Sequence, residues 1–216
     1  MSFYTCNRTG NIPGIISGNP LNGICEKACI QTNKVLDSCM KQLQQTNLQV
    51  SLSNQTPQSP ALPLTFVSAV TNGDATISDL IVDRLIDRPN FARVSLNVNI
   101  PLLVTYTDAN GVTGTGTTTI TVPNDVILFV PQPSIVPYTI EAFGASSSPT
   151  GNYVSGNVFN ISACITIIIR VIARVELLVP SYGYCSAPAC QEFTADVCTG
   201  ALELPIYPTA INNQRV

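Results

Sequence analysis

The stretch that decides the fold is residues 91–122, FARVSLNVNIPLLVTYTDANGVTGTGTTTITV. From Val94 to Ile100, apolar residues alternate with polar ones, and this period of two predicts a half-buried β-strand. Residues 108–111, DANG, predict a turn, because Asn-Gly adopts positive φ angles at low cost. The threonine-rich segment that follows has a high β propensity. The stretch therefore predicts an antiparallel hairpin.

Several breaks and extensions of this pattern surround the hairpin. Pro101 interrupts the first strand and predicts a bulge or an edge position, since proline cannot donate a ladder hydrogen bond. Residues 123–125, PND, predict a turn before a further strand, VILFV, at 126–130. The alternation at 154–179 is too long for one straight strand, so we expect it to bend, bulge or divide near residues 170–174.

Two segments have apolar residues at helical spacing. Residues 34–43 place Val35, Leu36, Cys39, Met40 and Leu43 on one face of a helix. Residues 78–88, SDLIVDRLIDR, begin with a possible serine cap and favour a short helix over a strand. The sequence as a whole predicts a mainly β fold: an antiparallel β-sandwich with one or two short helices and an extended N-terminal arm.

The domain organisation follows from composition along the chain. Residues 1–21 are rich in Gly, Asn and Pro and predict an extended N-terminal arm that carries Cys6. Residues 22–216 predict a single β-rich domain, a size that suits one hydrophobic core. The flanks of this domain, 22–48 and 180–200, are rich in cysteine.

Composition excludes several classes of function. The chain has 216 residues, only 10 Lys and Arg, a net charge of -3 and no His. A nucleic-acid interface needs a basic patch, which these residues do not form. Without His, neither Ser-His-Asp and Cys-His catalysis nor His-ligated metal sites are available. The N-terminus has no signal-peptide pattern and no apolar run is long enough to span a membrane, so we expect synthesis in the cytosol and no membrane insertion.

Other motifs carry no chemistry. The aspartates at 79, 83 and 87 predict a solvated, salt-bridged face, because spaced carboxylates on a helix do not converge on a cation. The glycines at 111, 114 and 116 lack the Lys-Ser/Thr end of a phosphate-binding loop. Carboxylates alone could serve glycoside hydrolysis, but no local pair stands out. We therefore expect no enzyme activity, no catalytic residues, no cofactor and no metal.

Cysteine is the most unusual feature of the composition. The eight cysteines lie near the two ends of the chain, at Cys6, Cys25, Cys29, Cys39, Cys164, Cys185, Cys190 and Cys198. Such usage indicates disulfides, a metal site or buried thiols, and the spacings Cys25-x3-Cys29 and Cys185-x4-Cys190 are loose for zinc. Disulfides are favoured, and their pairing stays open. In a protein made in the cytosol, they would form only after the cell lyses.

Two segments carry a resemblance to a known family. These are NKVLDSCMKQ at 33–42 and PSYGYCSAPACQEF at 180–193. Together they resemble the cysteine-rich proteins of the spore surface, of the exosporium or appendage type, in clostridia and related Firmicutes. The resemblance implies self-assembly held by disulfides, with Cys29, Cys39, Cys185 and Cys190 as the motif cysteines. This chain departs from the most cysteine-dense members of that group, because it has only eight.

These observations predict a structural subunit that self-assembles into a filament or lattice at a spore surface or outside the cell. The partner would be another copy, bound head to tail, because such contacts propagate without closing. The arm before Leu21 would add a strand to a neighbour, and Cys6 would lock the contact. The alternative is a cell-surface β-sandwich that binds glycans or acts as an adhesin, with Tyr182 and Tyr184 as the tempting aromatic pair.

Overall fold

The computed structural model describes residues 18–185, and within them every regular element is a strand. The strands are β1 (Glu26–Ser51), β2 (Ser53–Thr56), β3 (Thr65–Thr71), β4 (Thr76–Arg84), β5 (Phe91–Thr107), β6 (Thr113–Phe129), β7 (Tyr138–Ser155) and β8 (Val158–Ser181). Contacts divide the chain into a central unit, residues 33–175, and an end unit whose described parts are 18–32 and 176–185. The predicted β class is confirmed, as a single antiparallel sheet.

The β5–β6 hairpin forms as predicted and is longer than expected. Its register is unbroken from Phe91 opposite Phe129 to Thr107 opposite Thr113. The Asp108 carboxylate closes the turn by accepting the N–H groups of Asn110 at 2.9 Å and Val112 at 2.8 Å. The hydrogen bond from Val112 contributes most to holding the pKa of Asp108 below its ordinary value, and the other backbone hydrogen bonds add to it, although partial desolvation opposes them.

The predicted turn at residues 123–125 is wrong, because β6 continues through Pro123 to Phe129. The N–H of Val130, just after β6, donates to the carbonyl of Asn90, just before β5. The backbone N–H groups of even-numbered residues of β6 therefore point towards β5. Pro123 is odd-numbered and faces away from β5. Beyond it lies no strand of the described chain, since β2 pairs with β6 only at residues 115 and 117. A proline at this position removes no ladder hydrogen bond.

Pro101 marks the point where β5 changes partner. On the side away from β6, β4 pairs with β5 up to Asn99, and β3 pairs with it from Leu102 onward. Pro101 lies between the two ladders, and its carbonyl accepts the N–H of Asn72 at 2.9 Å. The missing N–H therefore falls in a gap between two ladders. Pro101 lies neither at a bulge of the β5–β6 ladder nor on an edge strand, unlike the sequence prediction, because β5 pairs on both sides.

Within residues 33–175 the sheet folds back on itself. Its strand order is β1-β8-β7-β3-β5-β6-β2, with β4 beside β5, so β1 and β2 lie at opposite ends of the order. Yet only Leu52 separates these two strands in the chain, which brings the ends of the sheet together. The carboxylate of Asp37 on β1 accepts the N–H of Phe129 on β6 at 2.7 Å, a second link between them. In mid-order, β7 and β3 pair through only two residues each.

This folding back encloses one hydrophobic core. Alternate residues of β5 from Ala92 to Tyr106 are buried, and so are alternate residues of β8 from Phe159 to Val171. The two rows belong to one cluster, in which Phe159 makes edge contacts with Phe66 and Tyr153. The period of two gives each strand one apolar face, and burial of that face is the main stabilising force. β8 continues through residues 170–174, so of the bend, bulge or division expected there, the division does not occur.

The two predicted helices are also wrong, because both segments are strands. Residues 34–43 belong to β1, and most of 78–88 belongs to β4. In β4 a register shift between Ser78 and Ile81 includes Asp79 at φ 53°, so Ile77 and Val82 both contact the core although they are five residues apart. A bulge reverses the phase of the alternation and gives apolar residues a spacing that resembles a helix. Pairing of β4 with β5 and of β1 with β8 favours the strand over the helix in these segments.

We predict that Gly114→Ala lowers the free energy of unfolding by about 1–3 kcal/mol, the usual cost of overpacking a core. A Cβ at Gly114 would lie 2.7 Å from the ring carbons of Tyr106, which is fully buried on the opposite strand. Urea denaturation of the variant would measure the loss.

The matched control is the double variant Tyr106→Leu/Gly114→Ala, compared with Tyr106→Leu alone. With the ring removed, the alanine should cost much less than in the wild-type background. An equal cost in both backgrounds would mean that the close approach to Tyr106 is not the cause.

Candidate functional site: an outer sheet face with an exposed thiol

Five of the eight predicted site cysteines lie in the described chain. Cys25 is disulfide-bonded, and Cys29, Cys39, Cys164 and Cys185 are free thiols. The other predictions concern residues outside the described chain, namely Cys6, Cys190, Cys198 and most of the arm at 1–21. The structure therefore does not pair any of the four free thiols with one another.

Three of these cysteines belong to the end unit. The backbone N–H of Cys25 donates to the carbonyl of Ser181 at 2.9 Å, which joins the segment before β1 to the end of β8. Cys29 lies on β1, Cys185 lies four residues beyond β8, and both are exposed. The hydroxyl of Tyr182 donates to the carbonyl of Pro20. Within its described residues, the end unit thus has a disulfide-bonded cysteine and two accessible thiols.

Cys39 is only partly accessible on β1. Burial raises the pKa of its thiol, and the negative charge of Asp37 adds to this rise, whereas a hydrogen bond from the N–H of Ile169 opposes it. The thiolate is the reactive form of cysteine, so a raised pKa makes Cys39 a slow nucleophile.

Cys164 points out of the sheet from the middle of β8. The residues on either side of it, Ala163 and Ile165, are buried, so Cys164 is on the opposite face and is exposed. Its register partner is Ser147 on β7, which in turn is opposite Val70 on β3. Residues that are opposite in a sheet share a face, so this thiol lies in a continuous outer row.

Large apolar side chains lie on the same outer face. Ile168 on β8 is opposite Phe143 on β7, whose side chain is 54% exposed. Gln42 on β1 donates to Thr166 on β8, which sets Met40 level with Ile168; Met40 is 64% exposed. We call this surface the outer face: Met40, Phe143, Ile168, Cys164 and the pair described next.

One charged pair borders the apolar row. Glu141 on β7 is opposite Arg170 on β8, one step beyond Phe143 and Ile168 in the register. Their opposite charges leave the outer face with no net charge. The sequence analysis missed this face, although the outward positions of residues 162–170 hold a cysteine and an isoleucine where solvent-facing strands usually carry polar residues.

The acidic residues of the described chain are dispersed. Among residues 18–185, no group of three or more Cys, Asp or Glu side chains could hold a metal ion. Asp79 accepts a hydrogen bond from Asn97 at 2.7 Å, and Asp87 forms an exposed ion pair with Arg88. Arg93 binds Asp125 and thereby holds the pKa of that carboxyl below its ordinary value. These acidic residues make local contacts and do not converge.

The two tyrosines of the predicted aromatic pair differ in exposure. Tyr184 is 57% exposed, whereas Tyr182 is half-buried by its contact with Pro20. Over the described part of the chain, no helix is long and apolar enough to cross a membrane. No protein-family model matches the sequence, and neither a curated protein nor a solved structure is significantly similar to it.

We predict that Cys164, Cys29 and Cys185 react with a maleimide faster than Cys39 does. The three are exposed, whereas Cys39 is half-buried with a raised pKa, and each unit by which a pKa rises lowers the thiolate fraction about tenfold. Brief labelling of the folded protein followed by peptide mass spectrometry would rank the sites. Labelling in urea is the control, and faster labelling of Cys39 in the folded protein would contradict the prediction.

Proposed function

We propose that the protein is a structural subunit that assembles with copies of itself into a filament or lattice, stabilised by disulfides that include intersubunit ones. Its location would be a spore surface or another extracellular surface, as the resemblance to spore-surface proteins implies. The single observation that carries the proposal is the outer face, where an exposed free thiol and exposed apolar residues lie on the same side of the sheet.

A second copy of the chain is the partner that suits this face best. Phe143, Ile168 and Met40 present apolar area that is more stable when removed from water. Glu141 and Arg170 provide both charges, so the same surface on a second copy can offer each of them an opposite charge. The low net charge of the whole chain, -3, gives little electrostatic repulsion between copies.

An open sheet edge supports the predicted role of the arm. From residue 119 to residue 127, β6 pairs with β5 on one side and with no strand of the described chain on the other, and the side chain of Asp37 on β1 reaches the same edge at Phe129. An extended segment can pair with such an edge through backbone hydrogen bonds. In this proposal residues 1–21 of one subunit add a strand to a neighbour, head to tail, and Cys6 forms a covalent lock there.

The proposal also includes the antiparallel sandwich that the sequence predicted. The inner faces of β5 and β8 contribute to one core, as the facing layers of a sandwich do. In such a sandwich the outer faces and the edges stay available for neighbours. The layers would thus provide a rigid block, and the arm and thiols would provide the connections.

The covalent step is thiol oxidation. Two cysteine thiols, one on each subunit, lose two protons and two electrons as the S–S bond forms. Dissolved oxygen accepts them and is reduced to hydrogen peroxide. Exposed thiols with an ordinary environment can react in this way once the protein leaves a reducing compartment.

We predict that air-oxidised protein forms a ladder on a non-reducing denaturing gel, and that reductant collapses the ladder to the monomer band. Cys164→Ser should shorten the ladder, because it removes the exposed thiol of the outer face. Cys39→Ser is the matched control and should leave the ladder unchanged, since Cys39 is half-buried with a raised pKa.

A monomer band in both lanes, in protein that also stays monomeric in solution, would contradict the proposal. A ladder that Cys39→Ser abolishes and Cys164→Ser does not would contradict the role of the outer face.

We further predict that deletion of residues 2–20 leaves folded subunits that no longer polymerise. The arm would supply the contact between subunits, whereas the core of residues 33–175 does not include it. Electron microscopy and light scattering would detect the loss of polymers, and thermal denaturation would check the fold. Unchanged polymers would overturn the role of the arm.

A further inference from the structure

A polar cleft lies at the β7–β8 hairpin, where its Ser162 is the next outward residue of β8 to Cys164. It has a volume of about 340 Å³ and opens to solvent. Thr150 and Asn152 of β7, Asn160 and Ser162 of β8, and Asn47 of β1 supply its polar groups. Phe66, Gly151 and neighbouring residues complete the wall.

Two cross-strand pairs form the polar side of the cleft. Thr150 is opposite Ser162, and Asn152 is opposite Asn160. Because alternate residues of a strand share a face, these four side chains form a grid about 5 Å wide and about 7 Å long. Several groups of one small ligand can therefore contact this grid at the same time.

The polar groups of the cleft are available to a ligand. Within the described residues, none of the carboxamides of Asn47, Asn152 and Asn160 has a hydrogen bond to protein. Ser148 bonds only the backbone carbonyls of Thr150 and Ser162, so the two hydroxyls stay available. Each carboxamide can donate and accept at once, as vicinal hydroxyl groups also do.

An aromatic ring lies on the core side of the same hairpin. A Cβ at Gly151 would lie 2.8 Å from the ring of Phe66, so glycine allows the ring this close approach to β7. The ring is half-buried and contacts Phe159 edge-on at 5.7 Å. It therefore supports the backbone of Gly151 from the core side, and the groups offered to a ligand are the polar side chains of the opposite face.

We propose that this cleft binds a short neutral saccharide of one or two rings. No ionisable side chain lines the cleft, so a charged ligand would find no counter-charge. The volume is near the lower limit for small-molecule sites, which suits one or two rings. A peptide is the weaker fit, because extended peptides usually bind a sheet edge through their backbone, whereas this cleft offers side chains on a face.

The test is saturation-transfer NMR and titration calorimetry of the full chain with glucose, galactose, N-acetylglucosamine and its disaccharide. At least one should bind, and Asn160→Ala and Asn152→Ala should each weaken binding about three- to tenfold, the effect of losing one neutral hydrogen bond.

Asn33→Ala is the matched control, since Asn33 is exposed on β1 outside the cleft. It should bind like the wild type, and thermal denaturation would show that all variants fold. Absence of binding for every sugar, equal binding by the cleft variants and Asn33→Ala, or competition by a neutral peptide but by no sugar would each overturn the proposal. The oxidation ladder does not depend on these asparagines, so the two proposals can fail separately.

Discussion

The structure depends on the burial of the apolar faces of β5 and β8 in one hydrophobic core. β5 and β8 each present a row of alternate apolar residues, and both rows lie in one core cluster. Neither row could be buried by an open, flat sheet, because one side of such a sheet would stay in water. The sheet must therefore fold back, through the two-residue β3–β7 ladder in mid-order and through Leu52 between β1 and β2.

This constraint also determines which groups stay outside. Every second residue of β8 from Phe159 to Val171 is buried in the core. The residues between them, which include Cys164 and Ile168, therefore lie on the outer face. The residues of β7 opposite them share that face, which brings Phe143 beside Ile168. At the hairpin end of the same two strands, the outward positions hold asparagine, threonine and serine instead. One pair of strands thus presents two surfaces of different chemistry.

The incorrect predictions of a helix at 78–88 and a turn at 123–125 have a common physical origin. Helical spacing at 78–88 and a proline at 123 are local signals, whereas the outcome was decided by the neighbouring strand. In β4 a bulge at Asp79 reverses the alternation, and pairing with β5 makes the strand favourable. In β6 the proline falls on the side without a neighbour, so it does not end the strand. Neither fact could be read without knowing which strands are adjacent.

The sequence by itself determined the β class, the hairpin around residues 108–111, the inward rows of β5 and β8, and the absence of histidine chemistry, because these follow from alternation, turn residues and composition. It also identified the cysteines but could not say which are accessible. Only the tertiary structure decided the strand order, the exposure of Cys164, the partial burial of Cys39, and the meeting of Asn47 with the β7–β8 hairpin. Strand order depends on contacts between residues more than a hundred positions apart, and no local pattern records them.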